Sequence, residues 1–149
     1  MKTLVALCAA ALLIATSVSA QTPPADSKTA VSRLLESVRT TDRALYAQVG
    51  SGLFIFAAPD FAVPVTFDQA QKLFGGCSLT SLSDPKPLEG AAPASIVTAT
   101  MTCGPPLPQG PLTIDFMADE KVVHAVYPGG YERFYPKGKT PRAVTVVRP

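Results

Sequence analysis

Two cysteines and one histidine are the residues of this sequence whose chemistry can be named first. Cys77 and Cys103 are the cysteines that remain if the apolar N-terminus is removed, and His124 is the only histidine. Two cysteines in an exported chain most often form a disulfide. Closing a loop of this length would stabilise the fold by about 3.5 kcal/mol on the chain-entropy argument. The sequence has no C-x-x-C motif, and a zinc site needs more ligands than these three residues. The pair therefore predicts a structural disulfide, with no metal and no other cofactor.

Proton transfer is the second chemistry that the residue types allow. Asp115 and His124 fall on neighbouring predicted strands, and a carboxylate beside an imidazole can act as a general base. Tyr46 or Tyr127 could polarise a carbonyl opposite them. These four residues are the candidates for a ligand pocket, but an ordinary strand histidine is the alternative for His124. No serine lies in a G-x-S-x-G context, so no catalytic residue is assigned.

Four aromatic residues near the C-terminus could form the rim of a binding site. They are Tyr127, Tyr131, Phe134 and Tyr135. The alternative is that these rings cover the second face of a sheet. Their spacing does not decide between a surface for ligands and a surface for packing.

A predicted β-hairpin over residues 112–127 would hold the candidate pocket residues. Leu112, Ile114 and Phe116 alternate with polar residues, which is the period of a half-buried strand. The return strand is rich in valine, and a charged turn separates the two. Residues 95–103 alternate in the same way. The predicted sheet is antiparallel, with central strands at 95–103, 112–118 and 121–127.

Two helices are predicted near the start of the domain, over residues 28–39 and 42–49. Apolar residues recur there at steps of three and four, which marks one face of a helix. Ser27 and Thr41 have the side chains of N-caps and are predicted to cap these helices.

Shorter elements connect the helix pair to the sheet. Residues 53–56 predict a buried strand, and residues 57–64, with two prolines, predict a loop. Thr66 and Gln69 have the spacing of a capping box at the start of a third helix. Residues 131–149 are predicted to be an edge strand or a tail.

The first twenty residues predict a secretory signal peptide. Lys2 supplies a positive start, an apolar run covers 4–18, and small residues precede a cleavage point after Ala20. The run is shorter than the roughly 20 residues of a transmembrane helix. The sequence therefore predicts an exported protein, periplasmic or secreted, without stable membrane insertion. The rest divides into a disordered polar lead-in and a single α+β domain, 21–27 and 28–149.

The balance of charge bears on the class of partner. Loss of Lys2 leaves 12 basic residues against 11 acidic ones, a net charge of +1. Proteins that bind nucleic acid usually carry a basic stripe, so nucleic acid is not expected as a partner.

The order of these elements resembles the NTF2-like (SnoaL-like) superfamily over residues 28–127. RLLESVRTTDRALYAQV is similar to that family's opening helix pair, and LTIDFMADEKVVHAVY is similar to its closing hairpin. The resemblance implies N-terminal helices packed on a curved antiparallel sheet, a cone around a pocket. The family includes isomerases, which use a pocket aspartate and tyrosine, and dimerisation modules. Glu120 and Lys121 stand where the family's hairpin commonly has glycine, and 131–149 lies outside the pattern.

Two functions follow from these observations. The sequence favours a non-catalytic, disulfide-stabilised pocket or interaction module, with a small apolar ligand, a protein partner or a second copy in a homodimer. The alternative is a small isomerase or dehydratase that uses Asp115 or His124. Fold alone does not choose between them. The second function requires an open cavity on the inner face of the sheet, and side chains filling that face would leave no room for a substrate.

Overall fold

The computed structural model describes residues 26–88, 93–135 and 145–146 of the 149-residue chain. The predicted signal peptide at 1–20, residues 21–25 of the predicted lead-in and most of the tail at 131–149 lie outside these residues.

Three α-helices and eight strands are present in the described residues. The helices are α1 (Ser27–Arg39), α2 (Arg43–Val49) and α3 (Phe67–Phe74), and a 3-10 turn covers Tyr131–Arg133. The strands are β1 (Phe54–Ala58), β2 (Phe61–Pro64), β3 (Ser78–Leu82), β4 (Lys86–Pro87), β5 (Ser95–Cys103), β6 (Gly110–Ala118), β7 (Val123–Pro128) and β8 (Thr145–Val146). The predicted α+β class is therefore confirmed.

Aspartates cap the first two helices. Asp26 accepts a hydrogen bond from the third residue of its helix, and Asp42 does the same at the start of α2. The prediction that Ser27 and Thr41 are the caps is wrong by one residue in each case. Ser27 is already helical, and Thr41 lies in the turn between the helices at a positive φ of 59°. The capping box predicted at the start of α3 is confirmed.

The strands form one mixed sheet in the order β3-β5-β6-β7-β1-β2-β8, and β4 also pairs with β5. The central strands β5, β6 and β7 are antiparallel as predicted. The prediction of a wholly antiparallel sheet is wrong, because β1 runs parallel to β7 and β2 runs parallel to β8. The chain between β1 and β7 includes α3 and several strands, which is more than the dozen residues that a parallel pair needs.

The predicted loop at 57–64 is also wrong, because β1 and β2 form a hairpin there. Pro64 ends β2, where a missing N–H does not interrupt the pairing inside the strand. This hairpin extends the sheet beyond β7 and lies next to α3 in the chain.

Apolar clusters cover both faces of the sheet. The helix-facing cluster includes Val97, Met101, Ile114 and Phe116, all at most 1% exposed. The alternation predicted for β5 and β6 is therefore confirmed. The opposite cluster contains Phe56, Ala62, Ile96, Ala125, Tyr127, Phe134 and Tyr135. Three rings of the aromatic set thus lie buried against the second face.

Candidate functional site

Cys77 and Cys103 form the predicted disulfide, with their Cα atoms 4.2 Å apart. Cys77 follows the Gly75-Gly76 end of α3, and Cys103 is the last residue of β5. Cys103 is buried, whereas Cys77 is partly exposed. The bond ties the third helix to the end of a central strand, so its role in this structure is to hold two elements together.

Asp115 is buried on the sheet face that points away from the helices, with 8% of its surface exposed. One carboxylate oxygen accepts a hydrogen bond of 2.6 Å from the hydroxyl of Thr98 on β5. The other accepts one of 2.5 Å from the backbone N–H of Tyr131. Both oxygens therefore have donors, and the side chain fastens the 3-10 turn to the sheet.

His124 contacts a different aspartate from the one the sequence suggested. Its Nε2 lies 2.8 Å from Oδ2 of Asp119, in the turn between β6 and β7. Asp115 pairs with Tyr127, so His124 lies three residues further along β7 toward the turn. The predicted neighbourhood of Asp115 and His124 is therefore wrong.

The Asp119 carboxylate organises this turn. Its Oδ1 accepts hydrogen bonds from the backbone N–H groups of Lys121 and Val122, at 2.7 and 2.8 Å. Burial acts to raise its pKa, but the N–H groups of Val122 and Lys121 and the ring of His124 together lower it below the ordinary value. The His124–Asp119 pair is therefore part of the hydrogen bonding that holds the turn between β6 and β7.

The two candidate tyrosines lie on opposite sides of the sheet. The Tyr46 hydroxyl donates to the backbone oxygen of Val65 at 3.0 Å, among the helix-facing residues, and burial raises its pKa to about 12. Tyr127 stacks on Phe56 on the other face, with ring centroids 4.6 Å apart. Burial, followed by the neighbouring Tyr135 and Tyr131, raises the pKa of Tyr127. The four predicted pocket residues consequently share no cavity.

Apolar side chains fill the helix-facing side of the sheet, where an isomerase would need an open cavity for its substrate. Val97 and Phe116 are fully buried, and Met101 and Ile114 are 1% exposed. Leu112 packs against the same cluster. In the described part of the chain, these side chains pack directly beneath the helices.

An apolar groove lies between α3 and the β1–β2 hairpin. Its volume is about 310 Å³, near the lower end of the roughly 300–1,000 Å³ usual for ligand pockets. It is lined by Ile55, Val63, Pro64, Val65, Gln69, Lys72, Leu73 and Pro106. Gln69 and Lys72 are its exposed polar members.

The groove does not follow from the loop predicted at 57–64, because it needs the β1–β2 hairpin that forms there instead. The available sequence signal was the short apolar run Phe61-Ala62-Val63 before Pro64, since aromatic and β-branched residues favour strands. In the structure Ala62 is 1% exposed and its two neighbours are 40% and 36% exposed. Two exposed apolar residues either side of a buried one indicate a strand with a face left uncovered.

Comparison with known proteins found no match for this chain among family models, curated proteins or solved structures. Within residues 26–88, 93–135 and 145–146, no three His, Cys, Asp or Glu side chains are grouped to hold a metal ion. No helix of the described part is long and apolar enough to cross a membrane.

Proposed function

We propose that this protein is an exported, non-catalytic module of NTF2-like architecture. It binds a small apolar molecule in the groove beside α3. The observation that carries the proposal is the groove itself, a concave and largely apolar space with a volume of about 310 Å³. Concave apolar sites with a few polar groups are the usual form of a ligand pocket.

The element order supports the proposed architecture. A capped helix pair precedes a hairpin and a third helix, and the long antiparallel strands β5, β6 and β7 follow. The resemblance to the NTF2-like superfamily rests on the same order, with one short strand where the structure has the hairpin. Export rests on the apolar run and small residues of 1–20.

A non-catalytic role is supported by the bonds that the candidate catalytic groups already make. Asp115 accepts hydrogen bonds from Thr98 and Tyr131. The ring of His124 is hydrogen-bonded to Asp119 instead of facing Asp115. An isomerase would need these groups to face one cavity together with a tyrosine hydroxyl.

The groove is tested with the neutral apolar dye Nile red. We expect its fluorescence to rise on the full chain, and we expect Val63→Arg to weaken dye binding at least tenfold, because a charge would replace an apolar wall. Val63 is 36% exposed, so the change should leave folding intact. Leu79→Arg is the matched control, since Leu79 is 42% exposed on β3 at the far edge of the sheet. Absence of dye binding, or equal binding by both variants, would overturn the proposed site.

Export is tested separately by intact-mass measurement of the protein recovered from its own host. Cleavage after Ala20 predicts a chain that begins at Gln21. Recovery of a chain that retains Met1 or Lys2 would contradict the proposed export.

A further inference from the structure

We propose that the ligand of the groove is a fatty-acid carboxylate, held by Lys72 as counter-ion and by Gln69 as a second hydrogen-bond donor. The inference rests on the proposed function, to which it adds the chemical class of the ligand. It is carried by the polar groups that α3 presents beside the apolar walls.

Lys72 is exposed at the groove and makes no ion pair with any residue in the described part of the chain. Its helical neighbour one turn earlier is Asp68, at the spacing where a lysine and an acid usually pair. Asp68 is instead bound by Arg43, with Nη2 and Oδ1 2.5 Å apart. Arg43 also lies over the ring of Phe67 at 4.5 Å. Because Arg43 holds that acid, the Lys72 ammonium is available to a ligand.

Gln69 supplies a donor on the same side of α3. Its Oε1 accepts from the backbone N–H of Thr66 at 2.8 Å in the capping box, which fixes the orientation of the amide. Its Nε2 is left without a hydrogen bond to the described residues. Gln69 and Lys72 are three residues apart and therefore neighbours on the helix surface. One neutral donor and one ammonium match the two oxygens of a carboxylate.

The remaining walls suit an alkyl chain. Ile55, Val63, Pro64, Leu73 and Pro106 present no charged side chain to the groove. A lysine keeps its methylene stem along apolar surface while its ammonium remains in water. The alkyl chain would then lie along the hairpin, with its carboxylate at the solvent side beside Lys72.

The test compares laurate with 1-dodecanol, which have chains of equal length and differ in the charge of the head group. At pH 8, laurate is added below its micellar concentration and 1-dodecanol below its solubility limit, and displacement of Nile red from the full chain is measured. We expect Lys72→Gln to weaken laurate binding about fivefold, which corresponds to about 1 kcal/mol, and to leave dodecanol binding within twofold of wild type. Added salt should reduce the difference, because exposed charges are screened.

Two further variants separate the groove from general charge. Lys86→Gln removes an exposed lysine on β4, at the far side of the sheet, and should change neither affinity. Gln69→Glu keeps an acceptor for the capping box and replaces the donor by a negative charge. It should weaken laurate binding and spare dodecanol.

The possible failures are distinguishable. If Lys72→Gln changes both affinities equally or neither, the carboxylate inference is overturned, while binding of dodecanol that is lost in Val63→Arg still supports the apolar site. If neither amphiphile displaces Nile red, the inference is overturned. If Nile red itself does not bind, the proposed function fails as well.

Two other occupants of the groove would give recognisable results. β8 pairs with β2 next to the groove, so binding by a chain ended after Val146 but not by the full chain would assign the groove to this protein's own C-terminal residues. A sedimentation shift from dimer to monomer in Val63→Arg, without amphiphile binding, would assign it to a second copy. Either result would overturn the inference.

Discussion

At the scale of single residues, two aspartates are fixed by the groups they accept hydrogen bonds from. Asp115 bridges a threonine on the neighbouring strand and the backbone of the 3-10 turn, and Asp119 holds the hairpin turn and His124. Their positions could be predicted from the sequence, but their partners could not, because the register pairs Asp115 with Tyr127 and leaves His124 three residues nearer the turn. Residue type indicates which bonds a side chain can make, and the strand register determines which partners lie within reach of it.

Replacing Asp115 should destabilise the protein strongly. Asp115→Ala leaves the Thr98 hydroxyl and the Tyr131 N–H without their acceptor in a largely buried place, so we expect a loss of about 3 kcal/mol in the free energy of unfolding. Urea denaturation measures it. Thr113→Ala, at an exposed position two residues earlier on β6, is the control and should cost less than 1 kcal/mol. Similar losses for both variants would contradict the role of Asp115.

The contribution of Asp119 should depend on pH. Its pKa is lowered in the folded protein, so its stabilisation is fully present above the unfolded value of about 4 and is lost as pH falls through the folded value. We expect Asp119→Ala to cost about 2 kcal/mol at pH 7, for two backbone hydrogen bonds to a charged acceptor. The cost should shrink below pH 4 in urea denaturation. The adjacent exposed Glu120→Ala should show little effect at either pH, and a cost for Asp119→Ala that is independent of pH would refute the assignment.

At the scale of elements, α3 connects the capping box, the apolar groove and the disulfide. It begins with the capping box, forms one wall of the groove, and ends next to Cys77. Its start and its inner face could be predicted because caps and helical periodicity are local in sequence. The hairpin opposite α3 could not be predicted, because the two prolines in residues 57–64 are typical of a loop.

Removing the disulfide should loosen the attachment of α3. We expect the double variant Cys77→Ala, Cys103→Ala to lose about 3.5 kcal/mol of unfolding free energy, since the unfolded chain regains the freedom that the closed loop removes. Reduced wild-type protein is the natural control and should resemble the variant in urea denaturation. A loss below about 1 kcal/mol would show that packing alone holds the helix.

At the scale of the whole molecule, one sheet separates two apolar clusters, and tyrosines lie in both. The alternation of β5 and β6 was sufficient to predict which residues face the helices. The parallel pairing of β1 with β7 brings together residues some 70 positions apart in sequence, and no local pattern contains that information. For the same reason the groove, which needs β1, β2 and α3 together, was not found from sequence.

Alkaline pH should unfold the protein through its buried phenols. Burial raises the pKa of Tyr46 to about 12 and also raises that of Tyr127. The unfolded chain ionises near pH 10, so stability is fully present below that value and falls as pH rises toward the folded values. We expect urea stability to decline between about pH 10 and 12, with phenolate absorbance appearing together with unfolding. Tyr46→Phe should decline less steeply, and phenolate formation without unfolding would contradict the burial.

The far edge of the sheet has a consequence for the protein while it is concentrated or newly folded. Strand β3 lies at this edge with an exposed Leu79, and its register shifts by one residue between Leu79 and Ser81 against β5. The extra residue, Thr80, interrupts the regular row of backbone donors and acceptors that another chain would need to extend the sheet. Natural proteins use such irregular edges against fibre formation. We therefore expect the bulge at Thr80 to oppose self-association through this edge.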